Sequence, residues 1–443
     1  MLSKKNINKS KLKYKSKLKY KSNSKIHTIK HKTTLKGGKY IDKGGFGCIV
    51  RPALPCNNFK KNITKYNNYV SKIITGPNID SDNVNQELYI STILNKIDPE
   101  NNFFITIKDY CIINSLPKDR TDVINITYKE KDPKQYKYNI SLKPNLDKKH
   151  CPMDLDDKPF NLILPFGGTS LAKIMKTNRK DTKNIKSIMH KLFIINIKMI
   201  FKHLLIGLSK MHKYKIINKD IKQKNIIMYL DPNDIPKLKK LDLNKKHATI
   251  LTLMKVRYID FGLSDYISPS LINKKNIDLS GTARYISPER FISYIITKYY
   301  NKPLDIINKH VRDKIDNIKK ALTRINEKNM LSNLNETIIK LYKKITFLNK
   351  NEQLTDKFFG GNTNHNYNSY IQKSDIYSLG ITIFDTLEYK NNSNVDVREN
   401  DLLYDLLLKM IKIDPDERFN VIECINHPYF KTTTKESYLN THN

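Results

Sequence analysis

The sequence predicts an α+β protein in which strands dominate the first part of the chain and helices dominate the rest. Apolar, β-forming stretches bounded by glycine or polar residues occur at 40–50, 69–74 and 160–171. Longer stretches with apolar residues at spacings of three and four follow at 186–213 and 333–348. A chain of 443 residues is long enough for one large domain or two smaller ones.

The composition is that of a globular protein, with 39% hydrophobic and 28% charged residues. No uninterrupted apolar run approaches the roughly 20 residues of a membrane-spanning helix. The most apolar stretch, 192–208, contains Lys198, Lys202 and His203. The basic N-terminus is not followed by an apolar segment, so we expect no secretory signal.

The five cysteines are scattered, odd in number and never spaced as C-x-x-C, so they predict neither a zinc site nor a disulfide framework. This pattern favours a reducing intracellular compartment, most simply the cytoplasm. The chain is rich in Lys, Asn, Ile and Tyr and lacks Trp. Such a bias is typical of an AT-rich genome, for example that of a large DNA virus, whose protein would act in the host cytoplasm. Because the same bias favours Lys, the net charge of +37 is weak evidence for an anionic partner.

The N-terminal segment is the most basic part of the chain. Residues 1–39 contain fourteen Lys and no Asp or Glu. So dense a block of like charge cannot pack, and we expect residues 1–37 to be a disordered tail. The tail either contacts a polyanion, such as nucleic acid, anionic lipid or an acidic protein, or is simply solvated; the sequence leaves both open.

A glycine-rich hairpin is predicted at 40–50, where Gly44, Gly45 and Gly47 stand between β-forming residues. Glycines let backbone N–H groups approach phosphate oxygens that a Cβ would exclude. A plain β-turn has the same composition, so the hairpin alone does not define a phosphate site.

The next strand, 69–74, presents Lys72 among apolar neighbours, and a cation in that setting requires an anion. Fifteen residues further on, Glu87 lies near the start of a stretch with helical apolar spacing. Lys–Glu pairs are also common on the surface of any basic protein, where they contribute little to stability.

The chain then alternates between predicted strands and long polar stretches. Phe103–Ile113 predicts a further strand, and residues 160–171 predict a strand followed by a short connection. Residues 115–158 are polar and lack periodicity, so we interpret them as an insertion. Residues 231–253 are a second, basic insertion.

A polar loop carries Asp220, Lys222 and Asn225 between an apolar helix that ends near His212 and a short strand at 226–230. At this spacing, a carboxylate that accepts a proton, a cation that neutralises a phosphate and an amide that holds a metal can point at one place. Taken alone, the loop could also be an ordinary polar surface loop.

A strand at 254–259 ends in Asp260, Phe261 and Gly262. The three residues supply a hard carboxylate ligand for Mg²⁺, an apolar anchor and a flexible joint. The triplet is common by itself, but its position one strand beyond the polar loop is not.

In order and spacing, these stretches resemble the eukaryotic-type protein kinases of the serine/threonine branch over residues 38–432. The resemblance implies an α+β, two-lobed protein kinase fold, with a β-rich N-lobe at 38–164 and a mostly helical C-lobe at 165–432. Outside it lie the tail 1–37 and a short C-terminal tail, 433–443. Insertions interrupt the domain near 115–158, 231–253 and 291–371.

The same resemblance assigns roles to residues. It implies that Asp220 and Lys222 are catalytic and that Asn225 and Asp260 bind Mg²⁺, with ATP as the phosphate donor. The implied nucleotide contacts are Ile41, Gly44, Gly45, Phe46, Gly47, Ile49, Val70, Lys72 and Glu87.

Three later stretches extend the resemblance. Gly281–Glu289 is similar to the segment that docks substrate, with Thr282 placed to contact the catalytic pair. Residues 374–380 are similar to the central buried helix of the family, whose Asp375 would hold the catalytic-loop backbone. Arg418 would pair with Glu289.

The largest insertion predicts a helical hairpin. Residues 307–325 and 333–348 have amphipathic spacing, and Asn333 with Glu336 resembles a capping box at the start of the second helix. Such a hairpin could bind a partner or merely cover a surface.

Several positions depart from the family pattern. Asp42 replaces the first glycine of the loop, Asn218 replaces a His, and Pro165 follows Leu164, the residue expected beside the adenine pocket. These departures favour, to a small degree, a catalytically weak pseudokinase that acts as a scaffold. Lys219 replaces an Arg that commonly clamps an activating phosphate, and its single ammonium lacks the bidentate fork. We therefore expect activity without phosphorylation of the activation segment.

Overall fold

The computed structural model describes most of the chain between residues 39 and 431. The predicted tails 1–37 and 433–443, Gly44–Phe46, most of the insertions 115–158 and 231–253, and part of the insertion 291–371 lie outside the described residues. The described residues are 39–43, 47–54, 68–74, 81–112, 125–126, 138–139, 160–177, 185–236, 253–267, 279–298, 316, 333–360, 367–387 and 401–431.

Strands lie mainly in the N-terminal part. They are β1 (Lys39–Lys43), β2 (Gly47–Arg51), β3 (Tyr69–Ile74), β4 (Asp109–Ile112), β5 (Asn125–Ile126), β6 (Tyr138–Asn139), β7 (Phe160–Pro165), β8 (Thr169–Ser170), β9 (Ile216–Ile217), β10 (Ile226–Leu230), β11 (Met254–Tyr258) and β12 (Asp265–Tyr266). An antiparallel sheet has the order β1-β2-β3-β7-β4, and β11-β10-β8 and β12-β9 form smaller sheets. In the large sheet Lys72 lies opposite Ile49 of β2 and Leu162 of β7.

Helices dominate after β8. One helix in the described residues, α1 (Ser81–Ile97), precedes β8. The helices that follow it are α2 (Leu171–Met175), α3 (Ile185–Ile195), α4 (Ile197–Lys213), α5 (Pro288–Lys298), α6 (Leu334–Lys350), α7 (Leu354–Phe359), α8 (Tyr370–Leu387), α9 (Asp401–Met410) and α10 (Val421–Ile425). The large sheet and α1 make an N-lobe, and the remaining helices make a larger C-lobe. The α+β arrangement expected from the sequence is thus observed.

The core of the C-lobe is built around α8. Every residue of this helix except Asp385 is buried, as expected for a helix that is surrounded by other elements. Leu204 and Leu208 of α4 and Leu406 of α9 belong to the same apolar cluster. Each such side chain contributes about 1.5–3 kcal/mol when it leaves water. The loop that carries Asp220, Lys222 and Asn225 therefore rests on a rigid base.

The predicted long helix at 186–213 is wrong in one respect, because the chain bends by 85° between α3 and α4. The break is at Asn196, whose side-chain amide donates to the carbonyl oxygen of Leu192 at 2.9 Å. A short polar side chain that bonds to the preceding turn competes with helix continuation. In the described part of the chain no single helix is both long and apolar enough to cross a membrane. The bent pair of α3 and α4 together meets these two criteria, on length and composition only.

Two further local predictions are corrected. Of the strand expected at Phe103–Ile113, only β4 forms, because Phe104 instead forms a bridge with Tyr258 of β11. The expected capping box at Asn333 is absent: the Asn333 side chain makes no cap hydrogen bond, and Glu336 pairs with Lys340 one turn further on.

The disulfide part of the cysteine prediction is also wrong. Cys48 and Cys111 are both disulfide-bonded, whereas Cys424 is free and buried. Cys48 lies on β2 and Cys111 on β4, with β3 and β7 between them, so they cannot bond to each other. Scattered positions in the sequence hid these bonds, and the cysteines no longer argue for a reducing compartment.

A short segment after α1 fixes the N-lobe to the C-lobe. The Asp98 carboxylate accepts backbone N–H groups from residues 102–104 at 2.8–2.9 Å. Tyr258 of β11 then donates to the carbonyl of Phe103 at 2.8 Å and accepts from the N–H of Ile105 at 3.0 Å. This backbone pairing makes a fixed joint between the lobes.

His203 of α4 supports the joint. Its Nε2 lies 3.1 Å from the carbonyl oxygen of Asn102 and 3.0 Å from that of Val256. Both partners are acceptors, so Nε2 carries the proton and donates. Burial lowers the pKa of His203, and the nearby Arg257 acts in the same direction. The joint thus contains a neutral histidine.

Candidate active site

The loop between β9 and β10 is held from below by Asp375 of α8. This fully buried carboxylate accepts the backbone N–H groups of Asn218 at 2.8 Å and Lys219 at 2.9 Å, and it lies 3.1 Å from Nε2 of His212. Lys219 has a φ of 66°, a left-handed conformation that non-glycine residues adopt at a cost. The three contacts of Asp375 offset that cost and set the shape of the loop.

Four polar groups converge on Asp220. Its Oδ2 accepts from Lys222 Nζ at 2.6 Å and from Asn225 Nδ2 at 2.9 Å. Its Oδ1 accepts from the hydroxyl and the backbone N–H of Thr282 at 2.8 and 3.0 Å. Lys222 also donates to the Thr282 hydroxyl at 2.8 Å, so Thr282 bridges the two residues as the resemblance implied. The carboxylate is 5% exposed and aimed by fixed donors.

Lys72 of β3 joins the N-lobe to the second acidic residue of the site. Its Nζ lies 2.7 and 3.0 Å from the two carboxylate oxygens of Glu87 on α1, and 2.7 Å from Oδ1 of Asp260. The arrangement needs both lobes, because Asp260 follows β11. Two carboxylates, those of Glu87 and Asp260, therefore supply the anion that the apolar surroundings of Lys72 led us to expect.

The charges in this cluster shift one another. Burial alone would lower the pKa of Lys72, but Asp260 and Glu87 outweigh it and hold the ammonium charged. Lys72 lowers the pKa of Asp260. Burial raises the pKa of Glu87 although Lys72 acts against it. Asp260 is thus the carboxylate that stays ionised, which is the state a cation ligand requires.

Asn225 and Asp260 fit a magnesium ion by the chemistry of their donors. The Asn225 side-chain nitrogen donates to Asp220 at two oxygens, 2.9 and 3.0 Å away, so its amide oxygen is the group left to act as a ligand. Asp260 is 28% exposed and ionised. One carboxylate and one amide oxygen suit Mg²⁺, which keeps waters and phosphate oxygens as its other ligands. Among the described residues no cluster of three or more His, Cys, Asp or Glu forms a denser metal site.

The apolar residues assigned to the nucleotide line one surface. Ile41, Ile49 and Val70 share an apolar cluster with Leu164 of the sheet and Ile227 of the C-lobe, so residues of both lobes meet at this surface. Gly44, Gly45 and Phe46, the tip of the hairpin, are outside the described residues.

Gly47 has a structural requirement of its own. A Cβ at this position would lie 1.9 Å from the carbonyl oxygen of Ile73 on β3. A side chain would thus separate β2 from β3, whatever the loop binds.

Three contacts at the site were not expected from the sequence. Asp42 of β1 pairs with Lys173 of α2 at 2.7 Å, a contact between the two lobes that is here called the mouth of the cleft. Asp265 of β12 pairs with Lys219 and accepts from Gln86 of α1. No local signal identifies these partners, since each pair joins segments more than forty residues apart.

Comparison with known proteins agrees with this geometry. Residues 158–308 match the model of the protein kinase domain family, a stretch that contains Asp220, Asn225 and Asp260 but not Lys72. The chain is also 24% identical over 267 residues to GLH-binding kinase 1 of Caenorhabditis elegans, and the alignment spans 58% of each protein. These findings support a protein kinase family for the chain, whose strands and helices form the two-lobed α+β protein kinase fold.

Proposed function

We propose that the chain is an ATP-dependent protein kinase that transfers the γ-phosphate of ATP to serine and threonine hydroxyls. The observation that carries the proposal is the set of donors around Asp220, where Lys222, Asn225 and Thr282 converge on a single carboxylate. Such an arrangement positions a hydroxyl and neutralises charge in one place, which is most of what phosphoryl transfer requires.

Each residue has a distinct task in this reaction. Asp220 accepts a hydrogen bond from the substrate hydroxyl and takes its proton as the oxygen attacks the γ-phosphorus, while the bond to the β,γ-bridging oxygen breaks. Lys222 neutralises the transferring phosphoryl group, and Lys72 holds the α- and β-phosphates. Asn225 and Asp260 would hold Mg²⁺, which supplies positive charge to the phosphates.

The preference for serine and threonine rests on Lys222 and on Gly281–Thr282, which are similar to that branch of the family. Lys222 Nζ is fixed between Asp220 and the Thr282 hydroxyl. The cation therefore lies close to the carboxylate that receives the substrate hydroxyl.

A pseudokinase scaffold is the alternative. Asn218 and Pro165 favour it, since both depart from the family pattern. Against it, Asn218 is integrated into the loop: its side-chain oxygen accepts the backbone N–H of Asp220 at 3.1 Å, and its carbonyl accepts the Ser264 hydroxyl at 3.2 Å. Asn218 thus makes two hydrogen bonds that help to hold the loop.

The decisive experiment incubates the purified chain with labelled ATP, Mg²⁺ and a peptide array. We expect Asp220→Asn and Asp260→Asn to lower turnover by about 10³-fold or more, since each removes a charge used in the transition state. Asp231→Asn is the matched control, because Asp231 only caps a short 3₁₀ turn and Asn caps equally well. Wild-type turnover no higher than that of Asp220→Asn would select the scaffold.

We also propose that the lysine-rich tail contacts a polyanion. Residues 1–37 lie outside the described part of the chain, so the proposal rests on their charge. Deletion of the tail should leave peptide kinetics nearly unchanged while abolishing heparin binding at low salt, because that binding depends on released counterions. A large loss of turnover would assign the tail to catalysis instead.

A further inference from the structure

One carboxylate outside the catalytic set connects three segments of the site. Oδ2 of Asp265 pairs with Lys219 Nζ, and Oδ1 accepts from Gln86 Nε2. Gln86 also donates to the carbonyl of the neighbouring Ser264 at 2.9 Å. The Lys219 side chain is 6% exposed and that of Asp265 is 27% exposed, so this pair is shielded from water on most sides.

Each partner of Asp265 adjoins a residue of the site. Lys219 directly precedes Asp220 in the catalytic loop, and Gln86 directly precedes Glu87 on α1. Asp265 itself follows Asp260 by five residues. The single carboxylate therefore ties the helix that carries Glu87 to the loop that carries the catalytic aspartate.

We propose that Asp265 is a positioning residue that assembles this site without phosphorylation. The resemblance assigns the Lys219 position to binding an activating phosphate, but here the ammonium is already bound to a carboxylate of the same chain. Asp265 thus supplies the negative charge that a phosphate would bring. A phosphate added nearby would meet a neutralised cation and an adjacent carboxylate, so its own effect on activity should be small.

The same contact fixes the position of α1. Gln86 binds both Asp265 and the Ser264 carbonyl, so α1 has a two-point attachment to the C-lobe beside Glu87. When the carboxylate is lost, α1 should move away from the site more often, and Lys72 should meet Glu87 less often. Hydrogen bonds to charged groups are strong enough for this loss to reduce kcat/KM about 10- to 100-fold.

The test uses phosphatase-treated full-length protein and two readouts. Amide hydrogen exchange in residues 81–97 reports on the attachment of α1, and peptide phosphorylation reports on activity; only the second readout depends on the proposed kinase function. We compare wild type with Asp265→Asn, Gln86→Ala and their double variant. Asp405→Asn is the control, since it removes a charge from the ion pair with Lys409 on α9.

We expect Asp265→Asn and Gln86→Ala each to accelerate exchange in α1. The double variant should exchange no faster than Gln86→Ala, because loss of the Gln86 side chain already removes both attachments of α1, including the one to Asp265. Asp265→Glu should restore slow exchange, and the thermal midpoint should change little. If Asp265→Asn fails to fold, the rate of amide exchange in α1 of Gln86→Ala tests the proposal on its own.

Unchanged exchange in α1 in both single variants would overturn the proposal, whatever the activity. So would wild-type activity that phosphatase treatment lowers to the level of Asp265→Asn. Faster exchange in a protein that phosphorylates no peptide would support the positioning role and refute only the kinase activity.

Discussion

The interior of the C-lobe and the mouth of the cleft are both held by ion pairs, but in opposite surroundings. Arg418 meets Glu289 through two hydrogen bonds of 2.7 and 2.8 Å, and both side chains are 0% exposed. At the mouth, Asp42 and Lys173 form one contact of 2.7 Å with side chains that are 48% and 41% exposed. The two pairs have nearly the same distances but differ in their exposure to solvent.

This contrast indicates which contacts the fold depends on. A buried charge that loses its partner cannot be solvated, whereas an exposed charge returns to water at little cost. The residues of the proposed chemistry are attached to the buried network through α8: Asp375 of this helix binds the backbone of Lys219, and Arg418 donates to the carbonyl of Lys373 on the same helix. A substitution at the mouth should therefore cost little, and Asp42, which departs from the family pattern, lies there.

Loss of the buried pair should have the largest effect. Glu289→Gln leaves the Arg418 guanidinium without a counter-charge, and we expect the free energy of unfolding to fall by about 3–5 kcal/mol. Urea unfolding measures this change. Glu336→Gln, which removes an exposed pair on α6, should leave the urea midpoint unchanged. Equal midpoints for the two variants would remove the distinction between interior and surface.

Reduction of the disulfides should destabilise the N-lobe by a somewhat smaller amount. Disulfides typically contribute about 2–4 kcal/mol each. We expect a reductant to lower the unfolding free energy of the wild type, and Cys48→Ala to remove part of that difference. Alkylation of the unreduced, denatured chain should label Cys424 and should not label Cys48 or Cys111. Labelling of Cys48 would contradict the bonded state.

Acid should weaken the joint between the lobes. The folded-state pKa of His203 is lowered by burial, so between that pKa and about 6.5 the unfolded chain binds more protons than the folded chain. The contribution of His203 to the free energy of unfolding should therefore be fully present near pH 7.5. It should fall as the pH drops below about 6.5. His203→Gln keeps a donor and does not titrate, so its unfolding free energy should change less from pH 7.5 to pH 5. Identical pH profiles would exclude His203 as the cause.

Loss of the exposed pair at the mouth should have the smallest effect. Asp42→Asn and Lys173→Ala should each change the unfolding free energy by less than about 1 kcal/mol. We expect the KM for ATP to change by about threefold or less, and to respond to salt in the wild type more than in either variant. A tenfold change in KM would contradict the small role assigned to this exposed pair.

The sequence was sufficient where the chemistry is local. Asp220, Lys222 and Asn225 lie within six residues on one loop, so their spacing allowed the three side chains to meet, as they do in the structure. The α+β order of elements was also predictable from hydrophobic periodicity. Lys72 and Glu87 required a resemblance to known kinases, because α1 must pack on the sheet before the two side chains touch.

Other features depend on contacts that no local pattern encodes. The bend at Asn196 was missed because apolar spacing continues through it, and one side-chain hydrogen bond decides the conformation. The contacts of Asp265 join three segments that meet only after folding. Asn333 shows the reverse case: a capping pattern is present in the sequence, but Glu336 pairs with Lys340 instead.

The fixed joint at Asp98 turns α1 into a lever. Its pivot lies at the end of the helix, and Glu87 lies eleven residues before it. At 1.5 Å per residue the arm is about 16 Å long, so a tilt of about 10° would displace Glu87 by about 3 Å. That displacement is as large as the 2.7 Å bond between Glu87 and Lys72. A small rotation at a joint that keeps all its own hydrogen bonds is thus enough to separate Glu87 from Lys72. The hydrogen bonds of Gln86, one residue before Glu87, oppose that rotation where the displacement is largest.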